Sequence, residues 1–272
     1  MTCKFSVLMS LYHRERADFL YECLESLNIQ TLRPDDVVIV YDGEVGNDLH
    51  SVVLDFMAKL PIRIIKLDSN VGLGNALNVG ILHCKHELIA RMDTDDICVY
   101  NRFEKQIPFM INNPKISICG SFIQEIDPET DEKISLRTVP VMHEDIVKSY
   151  LYKSPFNHMT VVYRKSDILA VGSYMHLHLM EDWYLWIRMI AAGKLGENLS
   201  EPLVNARAGY NMLSRRRGLK YAESEYKIML IKNELLLSNR FMNFFVFFLR
   251  AVLRFMPVVL LGLVYKILRK KL

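Results

Sequence analysis

The amino-acid sequence predicts an α/β fold: a mostly parallel central sheet with helices on its faces, followed by amphipathic C-terminal helices. Three observations carry this expectation. Up to Met92, β-rich runs alternate with helical patterns, the order a sheet of strand–helix units requires. The run Val37-Val38-Ile39-Val40-Tyr41 is apolar throughout, as a strand buried on both faces must be. Tyr12, Asp42, Asn70 and Asp93 all fall at or just beyond the carboxyl ends of expected strands, the edge at which such sheets bind ligands.

Element by element, Lys4 to Ser10 reads as the opening strand and Ala17 to Ile29 as the first helix. Val37 to Tyr41 is the second strand, stopped by Asp42-Gly43. Asp48 to Lys59 is helical, and Ile62 to Leu67 is the next strand. Asn70 to Gly74 turns the chain into a helix ending near His83, and Glu87 to Met92 is a strand ending at Asp93. Beyond Asp96 the pattern loosens. A helix over Asn101 to Asn112, a strand over Ile116 to Phe122 and a polar loop around Asp127 to Lys133 are expected. Thr160 to Tyr163 then reads as a strand, with helices over Asp182 to Ala192 and Tyr221 to Leu237.

With 51% hydrophobic residues the chain can bury a full core, which excludes a disordered protein. Cys3, Cys23, Cys84, Cys98 and Cys119 are scattered without a CxxC pair, so neither a zinc site nor a disulfide framework is expected. That suits a reduced, cytoplasmic setting, and Met1 to Ser10 lacks the apolar stretch of a signal peptide. The net charge is +3, yet Arg240, Arg250, Arg254, Lys266, Arg269, Lys270 and Lys271 are basic with no acid among them. Residues 1–239 therefore carry −4. A basic, apolar tail on an acidic body points to an anionic lipid surface rather than nucleic acid. Arg240, Asn243, Arg250 and Arg254 share one helical face, leaving Phe244, Phe245, Phe248, Leu249 and Val252 on others. Neither this piece nor Val258 to Tyr265 reaches the roughly 18 apolar residues of a membrane span. The expectation is a helix lying in the membrane interface with its arginines on the polar side. Packing on the domain, or a dimer contact, is the alternative.

The chemistry concentrates in two acidic groups. Arg91-Met92-Asp93-Thr94-Asp95-Asp96 sets three carboxylates just past a buried strand. Residues two apart on extended backbone point the same way, so Asp93 and Asp95 can converge on a hard cation, Mn²⁺ or Mg²⁺. Capping of the helix that follows is the plainer use of these acids. An EF-hand fails because Cys98 stands at the glycine position and Ile97 at a ligand position. A nicotinamide-dependent dehydrogenase is the competing enzyme class: Gly72 and Gly74 open a helix and Asp93 lies about 20 residues on, but Leu77 replaces the third glycine. The second group, Glu181-Asp182 before Trp183-Tyr184-Leu185-Trp186, starts a helix. There the carboxylates cap the first turn or, kept ionised by the helix end, act as a general base.

Taken in order, these motifs resemble the family 2 inverting glycosyltransferases of the GT-A fold, particularly bacterial O-antigen and exopolysaccharide (amylovoran-type) enzymes. The resemblance covers roughly residues 4–220. It rests on Ser6 to Tyr12, Leu24 to Thr31, Val38 to Gly43, Asn70 to Gly80, Asp93-Thr94-Asp95 as the DxD motif, and Glu181-Asp182. It implies a Rossmann-like nucleotide-diphospho-sugar transferase domain over 1–220, with a donor half of about 1–98 and an acceptor half of about 99–220. Residues 221–272 would form membrane-associating helices. Tyr12 and Asp42 would hold the nucleoside, with Glu15, Asn70, Gly72 and Thr94 lining the same donor site. Asp93 and Asp95 would meet the metal, and Asp182, or alternatively Glu181, would be the base. His158 and Trp183 would border the acceptor, and Arg215, Arg216 and Arg217 would meet donor or lipid phosphates. The implied partners are a nucleotide diphosphate-sugar, with UDP-Glc or UDP-Gal the first choices, and a polyprenyl-diphosphate-linked saccharide at the cytoplasmic leaflet. Two positions depart from the pattern: Leu77 stands where arginine is frequent, and Gly43 where a second acid is frequent. A non-catalytic, membrane-bound sugar-nucleotide-binding protein is the alternative of a different class.

Overall fold

The computed structural model describes residues 3–208, 218–235 and 237–255. Three strand–helix steps and a fourth strand come first: β1 (Ser6–Leu11), α1 (Ala17–Asn28), β2 (Asp36–Tyr41), α2 (Asn47–Met57), β3 (Ile62–Lys66), α3 (Leu73–His83) and β4 (Leu88–Arg91). There follow β5 (Ile97–Cys98), α4 (Arg102–Asn112), β6 (Ile116–Ile126), β7 (Lys133–Arg137) and α5 (His143–Ser149). A 3₁₀ turn (His158–Thr160), β8 (Val162–Arg164), α6 (Lys165–Ala170), α7 (Glu181–Ala191) and β9 (Leu195–Arg207) complete the sheet. Helices α8 (Leu219–Glu234) and α9 (Arg240–Phe255) come last.

The strands form one sheet in the order β3-β2-β1-β4-β8-β6-β9-β5, with β7 hydrogen-bonded to β6. The first four strands, in the order β3-β2-β1-β4, are parallel throughout, and β6 and β9 also run parallel. Antiparallel β8 joins the two parts.

Alternation along the strands divides the core between two faces. Val7, Met9, Val37 and Ile39 face Leu20 and Leu24 of α1, Val53 and Phe56 of α2, and Phe103 and Ile107 of α4. Leu8, Val38, Val40 and Ile89 face Ala76, Leu77 and Ile81 of α3 and Leu185 and Trp186 of α7. All are fully buried, each contributing about 1.5–3 kcal/mol. Buried on both faces, β1, β2 and β4 read as predominantly apolar runs, which is why the sequence announces them. A third cluster, with Tyr150, Trp183, Ile187, Tyr221 and Ile228, fastens α8 to the outer side of α7.

The chain after β5 differs from expectation where pairing, not local pattern, makes the element. β9 runs for 13 residues although Gly196 and Pro202 interrupt its sequence; the register with β6 shifts beside Pro202, a bulge that tolerates the missing N–H. β7 takes in Lys133, expected in a loop, as a largely exposed edge strand. The short helices α5 and α6 were not expected. The acids after β4 do not cap the following helix, since α4 starts at Arg102 behind Asn101.

The tail helix packs on the body through its polar face. Asn243 and Arg254 are buried against the body, whereas Phe241, Phe244, Phe245, Phe248, Leu249, Val252 and Phe255 are exposed. The polar face turns inward because α8 offers it a buried carboxylate, Glu225, which pairs with both Arg250 and Arg254. No helix among the described residues is long and apolar enough to cross a membrane.

Helix α3 approaches the sheet closely at Gly80, where an added Cβ would sit 2.3 Å from Leu8 Cδ1 and 2.8 Å from Val40 Cγ2. Gly80→Ala is therefore expected to destabilise the protein by about 1–3 kcal/mol despite its better helix propensity, read as a lower urea midpoint.

Candidate active site

Because β1, β2, β3 and β4 are parallel, their carboxyl ends share one edge, and the loops there carry Tyr12, Asp42, Asn70 and Asp93. Asp42, almost fully buried, organises the loop before α3. Val71 N donates to its Oδ1 (2.6 Å), Gly72 N to its Oδ2 (3.0 Å), and Asn70 Nδ2 to its carbonyl (3.2 Å). Gly72 has φ +87° as the chain enters α3, a conformation glycine adopts without strain. Gly43 has φ +86°, and a Cβ there would lie 2.7 Å from Asn70 N. The close approach of these two loops excludes a side chain at position 43, which accounts for the departure from the usual acid. Leu77 is likewise explained: it is fully buried in the α3 core face.

Beyond β4, Asp93, Asp95 and Asp96 place carboxylate oxygens within 4.8 Å of one another. Sequence reasoning singled out the first two as ligands; Asp96 joins them because β9 fixes it, Arg207 N donating to its Oδ1 (3.0 Å). Burial, then Asp93 and Glu15, push the Asp95 carboxyl up to about 7. Burial, then Asp95 and Asp93, raise Asp96 well above the usual carboxylate range. Asp96 Oδ2 is buried without a hydrogen-bond partner. Clustered, desolvated carboxylates of this kind lack positive charge, and an all-oxygen donor set fits a hard divalent cation. Glu15 reaches the same loop by accepting from Thr94 Oγ1 (2.8 Å). Tyr12, half-buried, holds its turn through its carbonyl, which accepts from Glu15 N.

Two cations missed in the sequence steady this cluster. Arg91, 1% exposed, pairs with Asp93 at 2.5 Å, and its Nε and Nη1 have no hydrogen-bond partner. Arg207, at the end of β9, donates to the Asp95 carbonyl (2.6 Å) and pairs with Glu22. An arginine within an otherwise apolar strand was the available signal for Arg91. Nothing local announces Arg207, 112 residues from Asp95.

The second acidic pair opens α7, Glu181 and Asp182 lying in its first turn. It adjoins the donor loop: a Cβ built on Gly74 would come within 3.4 Å of Glu181 Cβ. Asn78 and Tyr174 lock the two regions with reciprocal bonds of 2.7 and 2.8 Å. Burial, then Asp182, lift Glu181 to about 7. Ser154 Oγ lies 3.2 Å from Asp182 Oδ2. His158 is half-buried, its Nε2 2.8 Å from the Tyr174 hydroxyl and its ring edge-on to Trp186. Burial, then Arg91, hold its pKa well below the usual value, so the ring is neutral. Trp183, expected on the acceptor side, packs against the C-terminal helices. It is 3% exposed, covered by Lys232 and Arg250, with Nε1 donating to the Tyr150 carbonyl. Arg215, Arg216 and Arg217 lie outside the described residues.

Comparison with known proteins agrees with this geometry. The model of the family described as "Glycosyl transferase family 2" matches residues 6–171. The amylovoran biosynthesis glycosyltransferase AmsE of Erwinia amylovora is 41% identical over 98% of this chain and 99% of its own length. The UDP-Gal:alpha-D-GlcNAc-diphosphoundecaprenol beta-1,3-galactosyltransferase of Escherichia coli is 40% identical over 83% of this chain and 82% of its own. Among solved structures, the mannosyltransferase PcManGT of Pyrobaculum calidifontis, in complex with GDP-Man and Mn²⁺, superimposes with TM-score 0.64 at 13% identity, covering 97% of this chain and 80% of that one.

The Glu181 pKa has a consequence for stability. Raised from 4.5 to about 7, it lets the folded state hold a proton that the unfolded state releases, so stability falls as pH rises across that interval. Glu181→Gln removes the titration. Its unfolding temperature is expected to exceed the wild type's at pH 8, with the gap closing towards pH 4.

Proposed function

The chain belongs to glycosyl transferase family 2 and has the GT-A fold; from that premise we propose that it is a metal-dependent, inverting hexosyltransferase of surface-polysaccharide synthesis. The donor is a nucleotide diphosphate-sugar, with UDP-Glc or UDP-Gal the first choices. The acceptor is a saccharide on a polyprenyl diphosphate. The observation that carries this reading is the approach of two acidic groups, the Asp93-Asp95-Asp96 cluster beyond β4 and the Glu181-Asp182 pair that packs against the loop opening α3. The E. coli relative's name, with its UDP-Gal donor and diphosphoundecaprenol acceptor, supports the substrate classes.

In this reading the nucleoside lies over Tyr12 and Asp42. A carboxylate has about four acceptor sites, so Asp42 can hold the donor loop and still accept from the base. Asp93 and Asp95, with Asp96 beside them, would hold Mn²⁺ or Mg²⁺, which when bound neutralises the charge developing on the leaving diphosphate. Arg91 adds a buried positive charge against Asp93 and supplies the donor-side cation that Leu77 does not. Asp182, oriented by Ser154, removes the acceptor hydroxyl proton as that oxygen attacks the anomeric carbon from the face opposite the diphosphate. Glu181, lifted by burial, is the less favoured base. Neutral His158 lines the acceptor side as a hydrogen-bonding group rather than a charge. The acceptor half and the domain limits of 1–220 and 221–272 follow the same reading, as does a role for Arg215, Arg216 and Arg217 with phosphates.

The acceptor's lipid calls for a route to the bilayer, and α9 supplies one. Its 16 residues span about 24 Å and turn an aromatic face outward. From Arg240 onward the chain holds basic residues and no acid, which suits anionic lipid of the cytoplasmic leaflet. Full-length protein is expected to co-sediment with anionic phospholipid vesicles and to lose most of that binding in Phe244→Ser/Phe248→Ser. Equal binding by the two proteins would remove α9 as the docking face.

The reaction is tested with a panel of UDP-, GDP- and dTDP-sugars and a synthetic GlcNAc- or GalNAc-diphosphate-lipid, with Mn²⁺ or EDTA. One donor is expected to support transfer, with the product's anomeric configuration inverted. EDTA and Asp95→Asn abolish it, and Asp182→Ala lowers kcat by about 10²–10⁴. Absence of nucleotide-sugar binding across the panel would overturn the donor site.

A further inference from the structure

Just beyond α5, three consecutive backbone carbonyls each accept a hydrogen bond from a different helix. Trp183 Nε1 of α7 donates to Tyr150 (2.9 Å), Lys232 Nζ of α8 to Leu151, and Arg250 Nη1 of α9 to Tyr152 (2.6 Å). The donors are themselves stacked. The Lys232 ammonium lies 4.4 Å and the Arg250 guanidinium 4.7 Å from the Trp183 ring centroid. Glu225, 2% exposed, grips Arg250 with two bonds of 2.7 Å and pairs with Arg254 at 2.6 Å. Two residues past Tyr152, Ser154 Oγ meets Asp182 Oδ2 at 3.2 Å and the Phe156 carbonyl at 3.1 Å.

A plain account of these bonds is capping, since carbonyls at a helix end need partners. Water or one side chain serves that need at most helix ends. Here the Trp183 indole, the buried Lys232 and the partly exposed Arg250 do so, with buried Glu225 gripping the arginine, although desolvated charges seldom add stability over a well-packed apolar cluster. Such an arrangement does fix backbone position, because each carbonyl is held from a separate element. What lies at the end of the fixed segment is the carboxylate assigned as base.

We propose that residues 150–154 form a strap through which the C-terminal helices hold Asp182 in its working orientation, making Arg250, Lys232 and Ser154 positioning residues for transfer. The inference rests on the assignment of Asp182 as base. It gives α8 and α9 a part in the chemical step, although none of their residues touches the sugar. It also links the bilayer-facing helix to the reacting centre through a single arginine, whose outer neighbours face lipid while its guanidinium holds the strap.

The test uses full-length protein, UDP-Gal or whichever sugar of that panel supports transfer, the synthetic GlcNAc- or GalNAc-diphosphate-lipid, and steady-state kinetics at saturating acceptor. Ser154→Ala and Arg250→Met are each expected to lower kcat about tenfold while donor KM stays within about twofold. Because both cut the same strap, the double variant is expected to be no slower than the slower single one. Arg250→Lys is expected to recover part of kcat, as an ammonium can reach the Tyr152 carbonyl but cannot grip Glu225 with a fork. Should Arg250→Met not fold, Trp183→Phe keeps an aromatic ring under the cations and removes the donor to Tyr150, with the same fall in kcat expected. A lowered unfolding temperature with kcat unchanged would reduce the cluster to helix capping and overturn the proposal, as would multiplicative losses in the double variant. An Asp182→Ala protein with normal kcat would instead remove the base assignment. An inactive Asp182→Ala beside fully active Ser154→Ala and Arg250→Met would remove the strap alone.

Discussion

Asp93, Asp95 and Asp96 repel one another across less than 4.8 Å, and much of the surrounding structure is arranged to hold them there. Arg91 lies beneath them in β4 and pairs with Asp93. Arg207 arrives from the far end of β9 and ties the Asp95 carbonyl, while its own N–H takes Asp96. Cys23 of α1 donates to the Asp93 carbonyl. Arg102, itself fully buried, donates to the Arg91 carbonyl at 2.8 Å. The loop is thus secured through its backbone and its flanking cations, leaving carboxylate oxygens gathered and short of positive charge. That is the condition under which a divalent ion binds strongly and a diphosphate can complete its shell.

The same economy governs the opposite side of the cleft. Two helices, α3 and α7, bring their N-termini together at Gly74 and Glu181, so backbone N–H groups and the positive ends of two helix dipoles face one region. There the helix end opposes the burial that lifts Glu181. His158 adds no charge, being neutral and held by Tyr174.

The C-terminal helices reverse the usual sidedness of an amphipathic helix. Ordinarily apolar residues pack inward and charges face water. In α9 the inward face carries Asn243, Arg250 and Arg254, matched by Glu225 and Asn233 of α8, and the outward face is phenylalanine-rich. The two faces are consistent if the outer one meets lipid and the inner one meets protein charge, each polar or apolar surface finding its own kind.

What the sequence by itself determined is the donor half. β1 through β4 are buried on both faces or follow short turns, so apolar runs, breakers and strand-end acids were enough to place Tyr12, Asp42, Asn70, Asp93 and Asp95 on one edge. Asp182 was legible for the same reason, being the start of a strongly amphipathic helix. Tertiary structure alone decided the rest, because it depends on partners far along the chain. β9 exists by pairing with β6 across a bulge at Pro202, and no local period reveals that. Asp96 and Arg207 belong to the site only because β9 returns to β5. Trp183 looked like an acceptor platform beside two acids, yet its position in α7 turns it towards α8 and α9. The arginine face of α9 was visible as a face; that it points inward followed from Glu225, 25 residues earlier, whose buried charge could be neutralised in no cheaper way than by turning those arginines to it.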